Sequence, residues 1–520
     1  METITRRSFL KSIACTAAFF TQGCFPGTTG RQKAAKKPNI MLFLVDDMGW
    51  QDTSVPFHTE MTPFNRRYRT PNMEQLARQG VKFTEAYSCC VCSPTRISLM
   101  TGLNAARHRV TNWTLNKNAS NDSPHETLSF PEWNVNGLSP TAGIEHTIVA
   151  KTFPQLLQQA GYHTIHVGKA HFGARTTPGE DPLALGFDVN IAGHAAGGPG
   201  HYLGTANFGN KPGEHTLPWG VPGLEKYHGQ DIFLTEALTI EAIQAMDRAV
   251  ATSKPFFLYM SHYAVHVPFA RDRRFIQKYI DAGLDSKEAM YAALIEGMDK
   301  SLGDLMANLN RHHIENETII LFMSDNGGLS ASGRGGKPHT HNRPLSSGKG
   351  SSHEGGVRVP MIVRWPGITQ SDSACDQPVM IEDFFPTILE MAGIEHWRRG
   401  SMQIDGISLV PLLENRPGFP ESRALVWHFP NHWGHSGPGI APHSAIRKGD
   451  FKLIYYHATQ SFELFNVAHD IGETDNLFAS RPEIAKQLAD ELAAYLRRTK
   501  AQMPVNKITS KPVPLPNIQL

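Results

Sequence analysis

Cysteine is scarce in this chain and badly placed for crosslinking. Six occur in 520 residues: Cys15 and Cys24 near the start, Cys89, Cys90 and Cys92 in one short stretch, and Cys375 alone. That spacing is no disulfide framework. Charge of one sign is also lacking. Fifty Lys and Arg against 48 Asp and Glu leave a formal +2, which excludes a global nucleic-acid footprint and leaves anion preference to local clusters. The apolar segment Ile13 to Phe20 is too short for a permanent membrane helix, which takes about 20 residues. There is no internal repeat and no low-complexity domain. What is there is ordinary for a globular protein, 40% apolar and 19% charged, long enough for one large domain plus a smaller one. Histidine is plentiful at 25, which suits proton transfer or metal ligation.

The first residues read as an export signal. Thr5-Arg6-Arg7-Ser8-Phe9-Leu10-Lys11 fits the twin-arginine pattern, followed by that short apolar segment. Residues 1–26 are therefore expected to be a signal peptide and 27–37 a flexible linker, with a periplasmic or secreted destination. Gly23-Cys24 makes Cys24 a candidate lipid anchor, although Thr21-Gln22 is a poor match to the residues that normally precede one. The expected partner is the twin-arginine export machinery, which moves folded proteins.

Apolar runs then end abruptly in polar residues. Ile40 to Val45 meets Asp46-Asp47, His163 to Val167 meets Gly168-Lys169, Phe256 to Met260 runs towards His262 and His266, and Thr318 to Met323 meets Asp325-Asn326. Such runs, with helices between them, predict parallel strands buried on both faces, and ligands collect at the carboxyl ends of such strands. Four ends therefore point to one site. Helices are expected over Thr152 to Ala160, with Gly161 as its stop, and over Met290 to Leu309. The Gly-, Pro- and His-rich stretch Phe172 to Tyr227 reads as loops over the site. The sheet pattern weakens near Leu413. Residues 38–413 are thus expected to form the main α/β domain, and 414–520 a smaller α+β part, with strands at Phe451 to Tyr456 and Phe462 to Phe465, a helix from Pro482 to Arg498 and an extended tail.

Cys92-Ser93-Pro94-Thr95-Arg96 carries the most information. One reading is a helix start, with Ser93 as N-cap, Pro94 first in the helix and Gly102 past its end. The other is the signal for converting Cys92 to formylglycine, with proline at the second and arginine at the fourth following place. Both hold together, since a helix N-terminus receives an anion well. A thiol is a poor catalyst for cleaving sulfate esters. A hydrated aldehyde has two hydroxyls on one carbon, one to attack sulfur and one to expel the product. Asp46, Asp47, Asp325 and Asn326 offer only oxygen, which suits a hard divalent ion, calcium before magnesium. Either pair alone would read as a strand cap or turn. Cys89 and Cys90 read as small buried neighbours of the site.

With Gly161 to His171, His266-Val267-Pro268, and Gly348-Lys349-Gly350 leading into His353 to Pro360, these motifs resemble the type I, formylglycine-dependent sulfatases. The likeness reaches from Asp46 to Pro360 and reappears from Ile446 to Leu477. It departs at Ala170, where an aromatic residue is often found, and at Ser346, where an arginine is usual. The resemblance implies an alkaline-phosphatase-like fold, mostly parallel with a small C-terminal antiparallel sheet. It implies one calcium ion held by Asp46, Asp47, Asp325 and Asn326 next to the modified Cys92, and a formylglycine-generating maturase acting before export. It assigns Lys169 and Lys349 to sulfate, Arg96 to charge stabilisation, His171 to the formylglycine diol and His266 to the leaving group. His262 is expected to support His266 or touch substrate.

The expected activity is hydrolysis of sulfate monoesters on a carbohydrate such as a glycosaminoglycan, mucin-type or algal fragment. The alternatives are a phosphonate or phosphodiester hydrolase of the same fold, and a non-catalytic protein that binds sulfated glycans. Phe172-Gly173-Ala174, Gly186 to Ile191 and Asn207-Phe208-Gly209 are similar to one carbohydrate-active branch, which implies sulfated galactose or N-acetylgalactosamine with the fourth oxygen as the candidate position.

Overall fold

The apolar runs become neighbouring strands of one sheet. The computed structural model describes residues 36–329, 341–395, 402–420 and 422–519; the expected export signal and Cys24 lie outside the described residues. Nine strands make the large sheet: β1 Asn39–Val45, β2 Val81–Tyr87, β3 His163–Gly168, β4 Val189–Ile191, β5 Phe256–Ser261, β6 Thr318–Ser324, β7 Arg358–Arg364, β8 Ser373–Cys375 and β9 Val379–Met380. Their order is β8-β2-β7-β6-β1-β5-β3-β4, with β9 also on β2. Only β7 runs antiparallel to its neighbours, β2 and β6. The four runs singled out above, β6, β1, β5 and β3, are adjacent and parallel.

Both faces of this centre are buried, and β1 shows how. Met41, Phe43 and Val45 enter one core, Ile40, Leu42 and Leu44 another, because successive strand side chains point to opposite faces. The first core is closed by helices Leu234–Ala251 and Ser286–Arg311, the second by Cys92–Thr101, Phe153–Gln159 and Phe384–Met391. Each buried Leu, Ile or Phe contributes about 1.5–3 kcal/mol relative to exposure, so the strand ends rest on the stiffest part of the molecule. The helix expected at Thr152 is there, with Thr152 and Gln155 forming a capping box.

Two expectations need correcting. The stretch Phe172 to Tyr227, expected as loops, contains Val189–Ile191, which pairs with β3 as the edge strand β4. The helix Cys92–Thr101 is capped by Val91, with Cys92 first in the helix, rather than by Ser93. Thr95 Oγ1 supplies the local tie instead, accepting from Cys89 N at 3.0 Å and donating to Val91 O at 3.3 Å. Pro94 is tolerated at the third helical position because the first N–H groups of a helix have no partner within it. Gly102, at φ 68°, ends the helix as expected and donates to Ser98 O at 2.8 Å.

After the large sheet come four antiparallel strands, β10 Ala424–Phe429, β11 His443–Lys448, β12 Phe451–Tyr456 and β13 Phe462–Asn466. The helix Pro482–Arg498 packs on them through Leu488, Leu492 and Leu496. Lys37–Leu520 forms one compact unit. Among the described residues no helix is long and apolar enough to cross a membrane.

A buried ionic cluster joins the small sheet to the segment after Lys349. Lys452 Nζ lies 2.5 Å from Glu354 Oε1 and 3.0 Å from Glu473 Oε1, and donates to Ser352 O at 2.8 Å. Glu354 N donates to Glu473 Oε2 at 2.8 Å. His353 Nδ1 lies 3.0 Å from the same oxygen. Burial opposes a charge on His353, but Glu473 and Glu463 outweigh it and raise its pKa from 6.5 to about 9. Its folded pKa lies above the unfolded one. Its stabilisation is therefore complete below about pH 6.5 and lost as pH rises through about 9. Chemical denaturation of the wild type should show stability falling by up to about 3 kcal/mol across that window. His353→Gln should remove this slope, and an unchanged slope in the variant would refute the assignment.

Candidate active site

At the carboxyl ends of β1, β6, β3 and β5, the polar residues converge. Ladder bonding continues past the strands: Asp325 N donates to Val45 O, Asp46 N to Ala264 O and Lys169 N to Ser261 O, at 2.8–2.9 Å. Asp47 turns with φ 61°, a region Asp tolerates, and its N–H meets Asp325 Oδ1 at 3.1 Å. Gly168 at φ 99° precedes Lys169, where a Cβ would come 1.9 Å from Ser261 O. Only glycine fits that approach. The helix Cys92–Thr101 brings Cys92 and Arg96, one turn apart, to these strand ends, and a tight segment after Leu345 brings Lys349.

Three carboxylates and three cations interlock there. Arg96 donates through Nε and Nη2 to Asp325 Oδ2, at 3.0 and 2.8 Å, and through Nη1 to Lys169 O and Ser261 Oγ, at 3.0 and 2.6 Å. Lys169 Nζ meets Asp46 Oδ2 at 2.6 Å. Lys349 Nζ bridges Asp47 Oδ1 at 2.6 Å and Cys92 Sγ at 3.2 Å. Asn326 Nδ2 donates to Asp47 Oδ1 at 2.7 Å. Even so, Asp46 Oδ1, Asp47 Oδ2 and Asn326 Oδ1 are buried without a hydrogen-bond partner. A native protein rarely leaves such oxygens bare. An oxygen-only set carrying three carboxylates fits a hard divalent cation. Cys92 Sγ and ligand atoms of Asp46 and Asp325 lie within 4.8 Å of one another, as do Cys92 Sγ and those of Asp47 and His266.

Burial governs the electrostatics. It raises the Asp46 pKa, reinforced by Asp325 and only partly offset by Lys169. It would raise Asp47 too, but Lys349 and His266 pull that carboxyl below its ordinary value. Asp325 is likewise lowered against its burial by Arg96 and Lys169. Burial pushes the Cys92 thiol up to about 11 despite the two lysines, so the unmodified side chain is a neutral thiol near pH 7.

A cavity of about 190 Å³ opens above this layer. Of the expected residues, Asp47, Cys92, His171, His266 and Lys349 line it. His171, at φ 56°, donates through Nε2 to Thr114 O at 2.8 Å, leaving Nδ1 without a partner. His266 donates through Nδ1 to Val267 O at 2.7 Å, and its Nε2 stands 3.7 Å from Asp47 Oδ2. Asp46, Arg96, Lys169, Asp325 and Asn326 form the buried layer beneath. Arg96, with its donors engaged by Asp325, Lys169 and Ser261, holds that layer in place instead of facing the cavity.

His262 does not reach the cavity, which corrects its expected contact with substrate. It is fully buried, bonds Ser301 Oγ through Nε2 at 2.9 Å and packs on Phe43. Counting from β5 sets it with Leu258 and Met260 on the face covered by the helices Leu234–Ala251 and Ser286–Arg311. Ser346, half-buried, acts through its backbone, accepting from Gly355 N at 2.9 Å. Cys89 and Cys90 are buried as expected. Sequence reasoning missed Ser261, and it missed the upper wall of Trp113, Trp219, Trp433 and His435. Those four lie in connections without periodicity, and only their aromatic character within Gly- and Pro-rich loops could have signalled them.

Fold and site together define a sulfuric ester hydrolase with an alkaline-phosphatase-like fold. The chain belongs to the sulfatase family, whose domain, described as Sulfatase, matches residues 38–394. A second, described as N-sulphoglucosamine sulphohydrolase, C-terminal, matches 348–502. A protein named Sulfatase from Formosa agariphila is 29% identical over 94% of this chain and 93% of its own. The N-acetylgalactosamine-6-sulfatase of Canis lupus familiaris is 30% identical over 84% and 83%. Among solved structures, Ps i-CgsB in complex with k-i-k-neocarrahexaose superposes with a TM-score of 0.67 at 26% identity, covering 89% of this chain and 93% of that one.

The bare oxygens generate a test that does not need turnover. Purified wild type should hold close to one divalent ion per chain by elemental analysis. Asp325→Ala should lose most of it, and loss of a comparable electrostatic partner costs about 10²–10³-fold in rate. Unchanged metal content in that variant would rule the site out.

Proposed function

We propose that this protein hydrolyses sulfate monoesters of a carbohydrate, using formylglycine made from Cys92 and one calcium ion on Asp46, Asp47, Asp325 and Asn326. The observation that carries the reading is the coincidence of three bare buried oxygens with a Cys-x-Pro-x-Arg cysteine whose own thiol is held neutral. Formylglycine, once hydrated, would supply two hydroxyls on one carbon, one as nucleophile for sulfur and one to assist release of the product. Calcium would supply positive charge for the sulfate oxygens. The relatives named for carbohydrate sulfates support a sulfated sugar, with galactose or N-acetylgalactosamine the first choices.

The chain's own residues divide the remaining work. Lys349, held by Asp47 next to Cys92, meets a sulfate oxygen from the cavity side, and Lys169 adds charge from beneath. Arg96 fixes Asp325 and the Lys169 carbonyl, so the cations keep their places when substrate enters. His171 gives its Nε2 proton to Thr114 O, which leaves the Nδ1 lone pair to accept a proton from the residue-92 side chain. His266 donates its Nδ1–H to Val267 O, so it is the imidazolium form, with its second proton on Nε2, that delivers a proton to the departing alkoxide. Burial lowers the His266 pKa to about 4, with Asp47 working in the opposite sense. An anionic sulfate ester alongside raises its proton affinity.

We extend the reading to maturation and place. The CSPTR motif supports a maturase that converts Cys92 in the cytoplasm, and the twin-arginine pattern supports export of the folded enzyme to the periplasm or beyond.

Two experiments test this function. Peptide mass spectrometry of active enzyme should find aldehyde in place of thiol on the peptide that contains Cys92 and Arg96, and full activity with an intact thiol would sink the mechanism. In the second, His266→Ala is compared on a sugar sulfate and on nitrophenyl sulfate. General-acid catalysis contributes about 10²–10⁴-fold. The sugar alkoxide needs that help and nitrophenolate does not, so the loss should fall mainly on the sugar substrate. Equal losses on both would defeat the proton-donor role.

A further inference from the structure

We propose that Trp433 is the specificity-determining wall of a leaving-group subsite that receives the ring of the sulfated sugar, with Trp113 and Trp219 as its companion walls. The proposal rests on the carbohydrate-sulfatase reading above and adds the residues that recognise the sugar.

The cavity is divided by chemistry. Its floor carries the polar and charged groups, and these already have partners: Lys349 has Asp47 and Cys92, His171 the Thr114 carbonyl and His266 the Val267 carbonyl. Above them the surface turns apolar, with three tryptophans from three separate connections. An ester whose sulfate rests on Lys349 must project its organic part into that upper space. An indole offers a broad flat apolar face at small entropic cost, which suits the C–H face of a pyranose.

Trp433 is built into place. It lies over the lysine segment, with Lys349 Nζ 5.8 Å from its ring centroid. Gly350, at φ 94°, lets it settle there, since a Cβ at that position would come 2.5 Å from Trp433 Cε3. The His435 ring packs beside it with centroids 4.4 Å apart. Its connection, between β10 and β11, is tied down on the other side. Ser123 N donates to His432 O at 2.9 Å, and Asn431 Nδ2 donates to Asp122 Oδ2 at 3.0 Å. Asp122 also accepts from Asn112 Nδ2 at 2.9 Å, and Asn112 Oδ1 holds Trp113 N at the same distance. One carboxylate thus sets the spacing of two of the three walls. The third is less finished. Trp219 is 39% exposed and nearby Leu217 51%, an apolar lip left partly open to solvent.

The rival account is that Trp433 only props Lys349, and the test separates the two. Trp433→Ala and Trp433→Phe are compared with wild type using whichever of N-acetylgalactosamine 4-sulfate and 6-sulfate the wild type turns over faster as substrate and inorganic sulfate as competitive inhibitor. Binding of both probes is also measured directly by calorimetry in a Cys92→Ser background. Trp433→Ala should raise KM, and weaken binding of the sugar sulfate, by about 10–100-fold. The change in kcat should be smaller, and the inorganic sulfate Ki should stay within about twofold. Trp433→Phe should restore most of the loss, with melting curves confirming that both variants fold. A sulfate Ki that rises in step with the sugar KM would make Trp433 a prop for Lys349 and overturn the proposal, as would an unchanged KM. Failure of the underlying reading shows differently, as wild-type protein that releases no sulfate from any sugar sulfate, and it removes the sugar as occupant.

Discussion

The constraint on which the rest depends is the burial of six charges in one place. Asp46, Asp47 and Asp325 face Arg96, Lys169 and Lys349 with almost no solvent contact. Taking a charge out of water costs several kcal/mol unless it is paired and hydrogen-bonded, so each group must be held to within tenths of an ångström of its partner. Four adjacent parallel strands, buried on both faces, supply that rigidity. The special backbone positions are explained by the same demand. Asp47 turns left-handed to bring its N–H to Asp325, and Gly168 lets Lys169 pass against Ser261. The pairing is still incomplete, because three oxygens remain bare. Three free acceptors among these charges are what the proposed divalent ion would engage.

Much of this was legible in the sequence because the physics is local. Strands β1, β5 and β6 read as nearly unbroken apolar runs, since residues covered on both faces have no polar alternation to blur them, while β3 keeps His163, Thr164 and His166 among its apolar residues; the abrupt change to Asp, Asn, Lys or His marks the carboxyl ends. The helices from Pro482 and Thr152 were equally plain. Strand β7 was visible only as part of a signature after His353, because Pro360 interrupts its apolar run and arginines close both ends. The N-cap was misread at Ser93 because Thr95 ties the turn from inside the helix. His262 could not be assigned from spacing, since one residue along a strand decides which side of a sheet a side chain meets. The tryptophan wall was beyond reach for a related reason: Trp113, Trp219 and Trp433 are brought together by tertiary ties such as Asp122.

The architecture separates a general task from a particular one. In the proposed function the floor handles a sulfate group, and apart from Lys349 its residues come from one helix and the segments that follow strand ends. The walls handle whatever carries the sulfate, and they come from loops. The C-terminal sheet takes part in both. Through Lys452 and Glu473 it braces the Ser352–Glu354 backbone that follows Lys349, and its first connection delivers Trp433 and His435. The small sheet is therefore part of the active site's construction.

The most direct test of the central claim is a comparison of esters on the mature protein. kcat/KM is measured for a sugar sulfate and for matched phosphodiester and phosphonate esters, before and after metal removal and again with calcium restored. The account predicts that the sulfate ester is preferred, that its turnover disappears with the metal, and that calcium returns it. Preference for the phosphorus esters, or a sulfate rate indifferent to metal removal, would contradict it.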